Sequence, residues 1–228
     1  MKYKTEFGSR FDKLQASSEM EIYRNLQALS ASYGVFNKNY NELIRYLEHL
    51  NNPRESLFMY SSEQRENLER LIDETSRLFH NFLASAKSLV DHTRNIVKRL
   101  YSNQEFIKEY DAKLAEDIAN NSVQQFVQRL RNYTQHYILP IPALQIEFAE
   151  EDIEMSVRLD VEILKQWDGW GSSRSYLEQL EDSLCLISLS NEYFFLIQNF
   201  YQWLTERQTQ LHQSDFDNLQ KMRDELTI

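Results

Sequence analysis

The sequence is poor in the residues that build tight turns and cross-links. It has 4 glycines, 3 prolines and a single cysteine in 228 residues. Because the turns of all-β folds draw heavily on glycine and proline, this scarcity favours long helices. The one cysteine, Cys185, excludes an intrachain disulfide and a cysteine-based metal site, which fits a reducing compartment. Cys185 lies in the stretch LCLISL, where we expect a small core residue.

Long apolar runs and excess positive charge are also missing. The N-terminal stretch MKYKTEFGSRFDK lacks the apolar core of a signal peptide, and no later run is long enough to cross a bilayer. We therefore expect a cytoplasmic protein that does not enter the membrane. A formal net charge of -10 offers no cationic field for broad adhesion to nucleic acid or anionic lipid. Any contact with RNA must use a local patch.

The remaining composition predicts a folded, mainly α-helical protein. Hydrophobic residues make up 42% and charged residues 26%, which is the balance of a globular chain, and 228 residues suit a single domain. Apolar residues before Leu50 recur at helical spacing, and Gly34 predicts a division of that segment into two helices. The clearest periodicity is an unbroken seam of steps of four and three: Leu68, Ile72, Thr75, Phe79, Phe82, Ala86, Leu89, Thr93, Ile96 and Leu100.

After this long helix, a further helical stretch is expected from about Gln104 to Leu139, and the pattern then changes to period two. Alternating apolar residues after Pro142, with Glu150, Glu151 and Asp152 at the exposed tip, predict a β-hairpin. The domain would thus consist of a bundle over residues 1–142, a hairpin at 143–165 and C-terminal helices at 172–228. An isolated hairpin is marginal in water, so it must lie on the bundle or extend a partner's sheet. The stretch DGWGSSRS suggests a loop, Ser190 an N-cap, and the Gln-rich tail a last short helix.

The decapeptide RNYTQHYILP, residues 131–140, holds the main candidate site. On a helical wheel the apolar face is formed by Val123, Phe126, Val127, Leu130, Tyr133, Thr134, Tyr137 and Ile138. Asn132 and His136 stack on the opposite, polar face, with Arg129 close to His136. Arg131 lies about 140° from His136, so one straight helix does not bring the two side chains together. A joint site needs a distorted helix, the long reach of the arginine side chain, or a second copy of the helix facing this one. The last option makes a symmetric dimer the natural way to assemble the site.

The stretch QRLRNYTQHYILP resembles the signature of the HEPN superfamily, R-x4-6-H, in which four to six residues separate an arginine from a histidine, often with a polar residue directly after the arginine. Arg131, Asn132 and His136 match those three positions. The resemblance implies an up-down helical bundle that dimerises through the motif. It also implies a metal-independent endoribonuclease of a toxin and antitoxin module or of antiviral defence, in which a regulatory or antitoxin protein controls activity. One toxin subfamily continues the motif as H-x-Y, whereas the residue two beyond His136 is Ile138.

The residue types suit RNA cleavage without a metal. Histidine transfers protons near neutral pH, and arginine stays charged and binds phosphate oxygens, so Arg131 and His136 are the predicted catalytic pair. Asn132 and Arg129 would support them, and the products would carry 2',3'-cyclic phosphates. Asp91, His92 and Arg94 would form a second layer around the site or a solvated helix flank.

Alternatives remain open at the level of the sequence. The polar face is also what any solvated helix end shows, so the chain could be a non-catalytic helical interaction or regulatory subunit, or a nuclease that acts only within a larger complex. A second match, Arg207 to His212, lacks the flanking context of the first and is assigned to chance. The histidines have no neighbours at metal-ligand spacing and glycines are too few for a phosphate loop, which predicts no metal and no cofactor.

Overall fold

The computed structural model describes residues 5–56, 65–148 and 153–226, and it is mainly α-helical with a small antiparallel sheet. The helices, in chain order, are α1 (Glu6–Gln15), α2 (Ser18–Leu50), α3 (Pro53–Ser56), α4 (Arg65–Tyr101), α5 (Phe106–Leu114), α6 (Ser122–His136), α7 (Val161–Lys165), α8 (Arg174–Gln179), α9 (Leu186–Leu211) and α10 (Gln213–Asp224). The strands are β1 (Ala143–Phe148), β2 (Ile153–Asp160) and β3 (Ser183–Cys185). The predicted fold class, a helical bundle with a small hairpin, is confirmed.

The core of the bundle lies between α2, α4, α6 and α9. The α4 seam predicted from the sequence is buried at its centre, where Phe79, Phe82, Ala86 and Leu89 are almost inaccessible to water. Phe82 stacks against Phe36 of α2, with ring centroids 5.5 Å apart. The wide apolar stripe of α4 therefore serves a bundle interior rather than a two-stranded coiled coil.

The predicted break at Gly34 is wrong, because α2 runs without interruption through that residue. A glycine inside a helix costs about 1 kcal/mol relative to alanine. Phe36 and Leu43, both fully buried, follow Gly34 on the core side of the helix. Burial of such side chains contributes more than the glycine costs, so tertiary packing overrides the local signal.

The stretch from Gln104 to Leu139 is two helices rather than one. A π-helical turn at Ala115–Ala119 follows α5, and the chain then restarts at Asn121. The Asn121 side chain accepts hydrogen bonds from the backbone nitrogens of Val123 and Gln124, at 3.0 and 3.1 Å. This cap gives the motif helix α6 its own start, because it satisfies backbone donors that a helix leaves without partners.

The predicted hairpin forms and lies on the bundle of its own chain, but it ends at Asp160 and not at residue 165. The last five residues of the predicted hairpin form α7, because the Asp160 side chain accepts a hydrogen bond from the Ile163 backbone nitrogen and caps a helix start. Ala143 pairs with Arg158 and Phe148 with Ile153 in antiparallel register. Met155, Val157 and Leu159 of β2 alternate toward the interior, where β2 contacts α2 and α9. The predicted hairpin tip, Glu150, Glu151 and Asp152, lies outside the described residues.

The sequence did not predict β3, which pairs with β2 through Leu159 and Leu184. Cys185, expected in the core, ends this strand and is half-buried. The expected N-cap at Ser190 is also wrong, since α9 begins at Leu186 and Ser190 is fully buried within it. The pairing of β3 with β2 extends to Cys185, and α9 begins at the next residue, before the predicted start at Ser190.

After the hairpin, one element differs from the prediction and another confirms it. The stretch DGWGSSRS, expected as a loop, is a 3₁₀-helix at Asp168–Ser173 that leads into α8. The predicted last helix is confirmed as α10. Together with α1, it forms a small separate apolar cluster of Leu14, Met20 and Leu219.

Candidate functional site

The motif helix α6 is fixed by an aromatic cluster beneath it. Phe126 stacks between Trp170 and Tyr176, with ring centroids 5.2 and 4.6 Å away. Tyr133, about two turns further along the helix, packs against Trp170 and Trp167, each with centroids 5.6 Å away. Broad contacts between aromatic rings contribute beyond simple burial. They hold the polar face of α6 in one rotational setting.

The 3₁₀-helix supplies this support through its two tryptophans and two glycines. The Trp170 indole is fully buried, and its Nε1 donates a hydrogen bond to the Leu164 carbonyl at 2.7 Å. A Cβ at Gly169 would lie 2.1 Å from the Trp167 ring, so only glycine fits there. Gly171 has a φ of 54°, a left-handed value that favours glycine. The spacing W-D-G-W was the signal in the sequence that this segment packs inward.

Burial also governs the tyrosine at the centre of the motif. Desolvation raises the pKa of Tyr133, and the nearby Tyr137 phenol adds to the increase. The Tyr133 hydroxyl is buried and has no hydrogen-bond partner among the described residues. Tyr133 therefore stays neutral and acts as part of the core, as the helical wheel predicted.

Arg131 lies half-buried at the edge of α6. Its Nη1 donates to the Asn132 Oδ1 at 3.1 Å. Its Nε is buried and lacks a partner in the described part of the chain. A guanidinium with an unused, buried donor retains hydrogen-bonding capacity for an anion, because unpaired buried polar groups are costly.

His136 is the last residue of α6 and is exposed to solvent. Since α6 is regular up to this point, His136 lies about 7.5 Å along the axis and about 140° around it from Arg131. Within the described ranges, no hydrogen bond joins the two side chains. One copy of the chain thus presents Arg131 with Asn132 on one side of the helix and His136 at its end.

The helix stops directly after His136, which corrects the predicted apolar face. Tyr137 departs from helical geometry, and the backbone nitrogens of Tyr137 and Ile138 both donate to the Tyr133 carbonyl. Tyr137 and Ile138 were expected in the core but are more than half exposed. They belong to an exposed apolar stretch directly after the motif, here called the post-motif surface: Tyr137, Ile138, Leu139 and Ile141.

The second arginine and histidine match has a structural role. Arg207 forms a two-pronged ion pair with Glu109, at 2.7 and 2.8 Å. His212 is buried, with its Nε2 3.0 Å from the Tyr101 hydroxyl and its Nδ1 2.7 Å from the Asp215 carboxylate. Both side chains are therefore engaged within the fold, in contrast to Arg131 and His136.

The three residues predicted as a second layer around the site contact side chains of α4 and α2 instead. Asp91 pairs with Lys87 at 2.5 Å, and Arg94 lies 3.8 Å from the same carboxylate. His92 faces α2, where its Nδ1 lies 2.7 Å from the Ser32 hydroxyl. None of the three is joined to Arg131 or His136 by a hydrogen bond or ion pair among the described residues.

A polar cleft of about 400 Å³, here called the α6 cleft, lies between α4, α6 and the 3₁₀-helix. Arg129 and Asn132 of the motif region line it, together with Lys87 of α4. The sequence had not indicated Lys87, because nothing in a sequence shows that α4 passes beside α6 at this level. Asn132 thus contacts Arg131 and also faces a cleft on its own side.

Neither a metal site nor a membrane span is evident over residues 5–56, 65–148 and 153–226. No group of three histidine, cysteine or acidic side chains in these ranges could hold a metal ion. No helix there is long and apolar enough to cross a bilayer. Comparisons with known proteins give no assignment: no protein-family model, no curated protein and no solved structure matches this chain.

Proposed function

We propose that this protein is a HEPN-like, metal-independent endoribonuclease that acts as a homodimer, with Arg131 and His136 as the catalytic pair. The proposal depends on one observation. Arg131 keeps an unpartnered buried Nε and is positioned by Asn132, while His136 is exposed on the same helix. By contrast, the side chains of Arg207 and His212 are engaged in structural contacts.

The chemistry needs two proton transfers and one charged group. A base takes the proton from the RNA 2'-hydroxyl, whose oxygen then attacks the adjacent phosphorus. The bond to the 5'-oxygen breaks, and that oxygen receives a proton from an acid. His136 would serve in proton transfer, and Arg131 would bind the phosphate oxygens as negative charge builds up. The products are a 2',3'-cyclic phosphate and a 5'-hydroxyl.

The dimer follows from the geometry of α6. Arg131 and His136 lie on different sides of a regular helix, about 140° apart, so the two side chains do not meet directly within one copy. Two copies related by a twofold axis would place the arginine of one copy near the histidine of the other. The post-motif surface supports this arrangement, because contiguous exposed apolar residues favour a protein contact and these adjoin His136.

The cellular role we propose is that of a toxin or an antiphage-defence effector whose activity a protein partner controls. A net charge of -10 does not favour unselective binding to RNA, so substrate contact must be confined to the motif region. Control by a regulatory or antitoxin protein is compatible with such a restricted surface.

Cleavage of RNA in the presence of EDTA tests the proposal. The wild type should cleave, whereas Arg131→Ala and His136→Ala should each lose activity by about 100-fold or more, the scale expected for one acid, base or charge-stabilising group. Arg45→Ala and His49→Ala, at exposed positions on α2, are the matched controls and should keep wild-type activity. Cleavage that survives both motif substitutions would exclude this site.

Mixing the two inactive variants tests whether the site is shared between copies. A heterodimer of Arg131→Ala and His136→Ala contains one complete site if the residues act across the interface. Random pairing should then restore about a quarter of wild-type activity. If both residues act within one copy, the mixture stays inactive.

The second candidate is a non-catalytic helical interaction protein that docks through the post-motif surface. The exposed aromatic and aliphatic side chains favour this function independently of the motif. Absence of RNA cleavage by the wild type, together with loss of a protein complex on Ile141→Asp, would support it.

A further inference from the structure

Two residues that border the α6 cleft, Gln124 and Ser173, each carry a buried polar atom. The Gln124 Oε1 and the Ser173 Oγ have no hydrogen-bond partner among the described residues. Gln124 is 8% exposed and Ser173 is 3% exposed. Most buried polar groups in folded proteins are satisfied, because the unpaired state is costly. Two such atoms on residues that border one cleft point to a ligand that pairs with them.

The charge of the cleft favours an anion. Lys87 and Arg129 line it, and no acidic side chain does among the described residues, although the chain as a whole carries an excess of ten acids. Lys87 pairs with Asp91, which partly offsets its charge. Arg129 has no ion-pair partner in the described ranges. The cleft is therefore a local positive region on an acidic protein.

The backbone around Arg129 makes room for its side chain. A Cβ built on Gly171 would lie 3.4 Å from the Arg129 Nη2, so the guanidinium passes close over this glycine. The cleft also extends to Gln124 and Gln125 in the first turn of α6, where the helix dipole favours negative charge. An arginine fork, an ammonium group and a helix start together match the chemistry of a phosphate.

We propose that the α6 cleft binds the phosphate group of a sugar-phosphate ester. Arg129 and Lys87 provide charge, the Asn132 Nδ2 and the Ser173 hydroxyl donate to phosphate oxygens, and the Gln124 Oε1 accepts a hydrogen bond from a hydroxyl of the sugar. The volume of about 400 Å³ accommodates the attached sugar as well as the phosphate. The ester is either part of an RNA backbone or a small molecule, and binding does not require that the motif cleave RNA.

Binding is measured by calorimetry at constant ionic strength with three probes: inorganic phosphate, ribose 5-phosphate and a 2'-O-methyl RNA oligonucleotide. The modified RNA lacks the attacking hydroxyl, so its binding is independent of the proposed cleavage. Binding of ribose 5-phosphate alone identifies a small ester as the ligand, and binding of the oligonucleotide identifies an RNA backbone. Absence of binding for all three probes overturns the proposal.

Arg129→Gln should weaken binding by about 10-fold to 100-fold, the effect expected from a lost charge-assisted hydrogen bond. Arg174→Gln removes the same charge next to Ser173 but outside the lining of the cleft, and it should leave the affinity unchanged. Equal weakening by both substitutions would mean that only diffuse charge acts, which overturns the site.

Ser173→Ala distinguishes a ligand contact from a structural role. Because its hydroxyl has no partner in the described part of the chain, its removal should leave the urea midpoint of the free protein unchanged or raise it. The same substitution should weaken binding of the probe. A variant that is less stable when free, but binds with wild-type affinity, would show that the hydroxyl serves the fold and not a ligand.

Discussion

Replacement of Phe126 by alanine tests whether the aromatic cluster holds the motif helix. The Phe126 ring is fully buried and stacks between the Trp170 and Tyr176 rings. Deleting a buried phenylalanine costs about 3–5 kcal/mol, and stiff aromatic walls limit collapse of the resulting cavity. We therefore expect a loss of about 4–5 kcal/mol in the free energy of unfolding, which lowers the melting temperature by roughly 8–20 °C for a chain of this size.

Urea unfolding followed by far-ultraviolet circular dichroism measures this loss. The matched control is Phe195→Ala on α9, where the same side chain is 53% exposed and should contribute less than about 1 kcal/mol. An unchanged denaturant slope would show that both variants unfold to comparable states. Equal losses at Phe126 and Phe195, or a loss below about 1.5 kcal/mol at Phe126, would refute the packing argument.

Three further predictions concern the cap, the buried histidine and the tyrosines. Asn121→Ala should lower the free energy of unfolding by about 1 kcal/mol in urea titrations, whereas Asn121→Asp keeps the cap and should not. His212→Ala removes a hydrogen-bond partner from the Tyr101 hydroxyl and from the Asp215 carboxylate, and it should lower the free energy of unfolding by roughly 2–4 kcal/mol. A change below about 0.5 kcal/mol would contradict the structural role of His212. Burial raises the pKa of Tyr101 and of Tyr110 to about 12 from 10.0, so their stabilising effect is complete below pH 10 and is lost as pH rises toward 12. The urea midpoint should therefore fall above pH 10, and fall less steeply in Tyr110→Phe.

Local sequence signals predicted the elements whose pattern is carried by neighbouring residues. The α4 seam, the hairpin after Pro142 and the end of α6 before Pro140 are all read from side-chain period or from backbone restriction. The wrong predictions concern positions at which residues distant in the sequence determine the local structure. Gly34 stays helical because Phe36 and Leu43 pack into the bundle, and no window around the glycine contains that information.

The candidate site shows the same division. Arg131, Asn132 and His136 were identified from their spacing, and helix geometry alone separated the arginine from the histidine. Their surroundings were not predictable. Lys87 is 45 residues before Asn132 in the sequence, yet both line the α6 cleft because α4 and α6 pack together.

The sequence by itself determined that this protein is a helical bundle with one hairpin, since periods of 3.6 and 2 are properties of neighbouring residues. It also determined which residues form the polar face of α6. Only the tertiary structure decided which arginine and histidine stay available for function. Among the described residues, Arg207 and His212 contact side chains of other elements, whereas Arg131 and His136 form no hydrogen bond or ion pair with another element. Pairing between distant segments is a property of the folded chain alone.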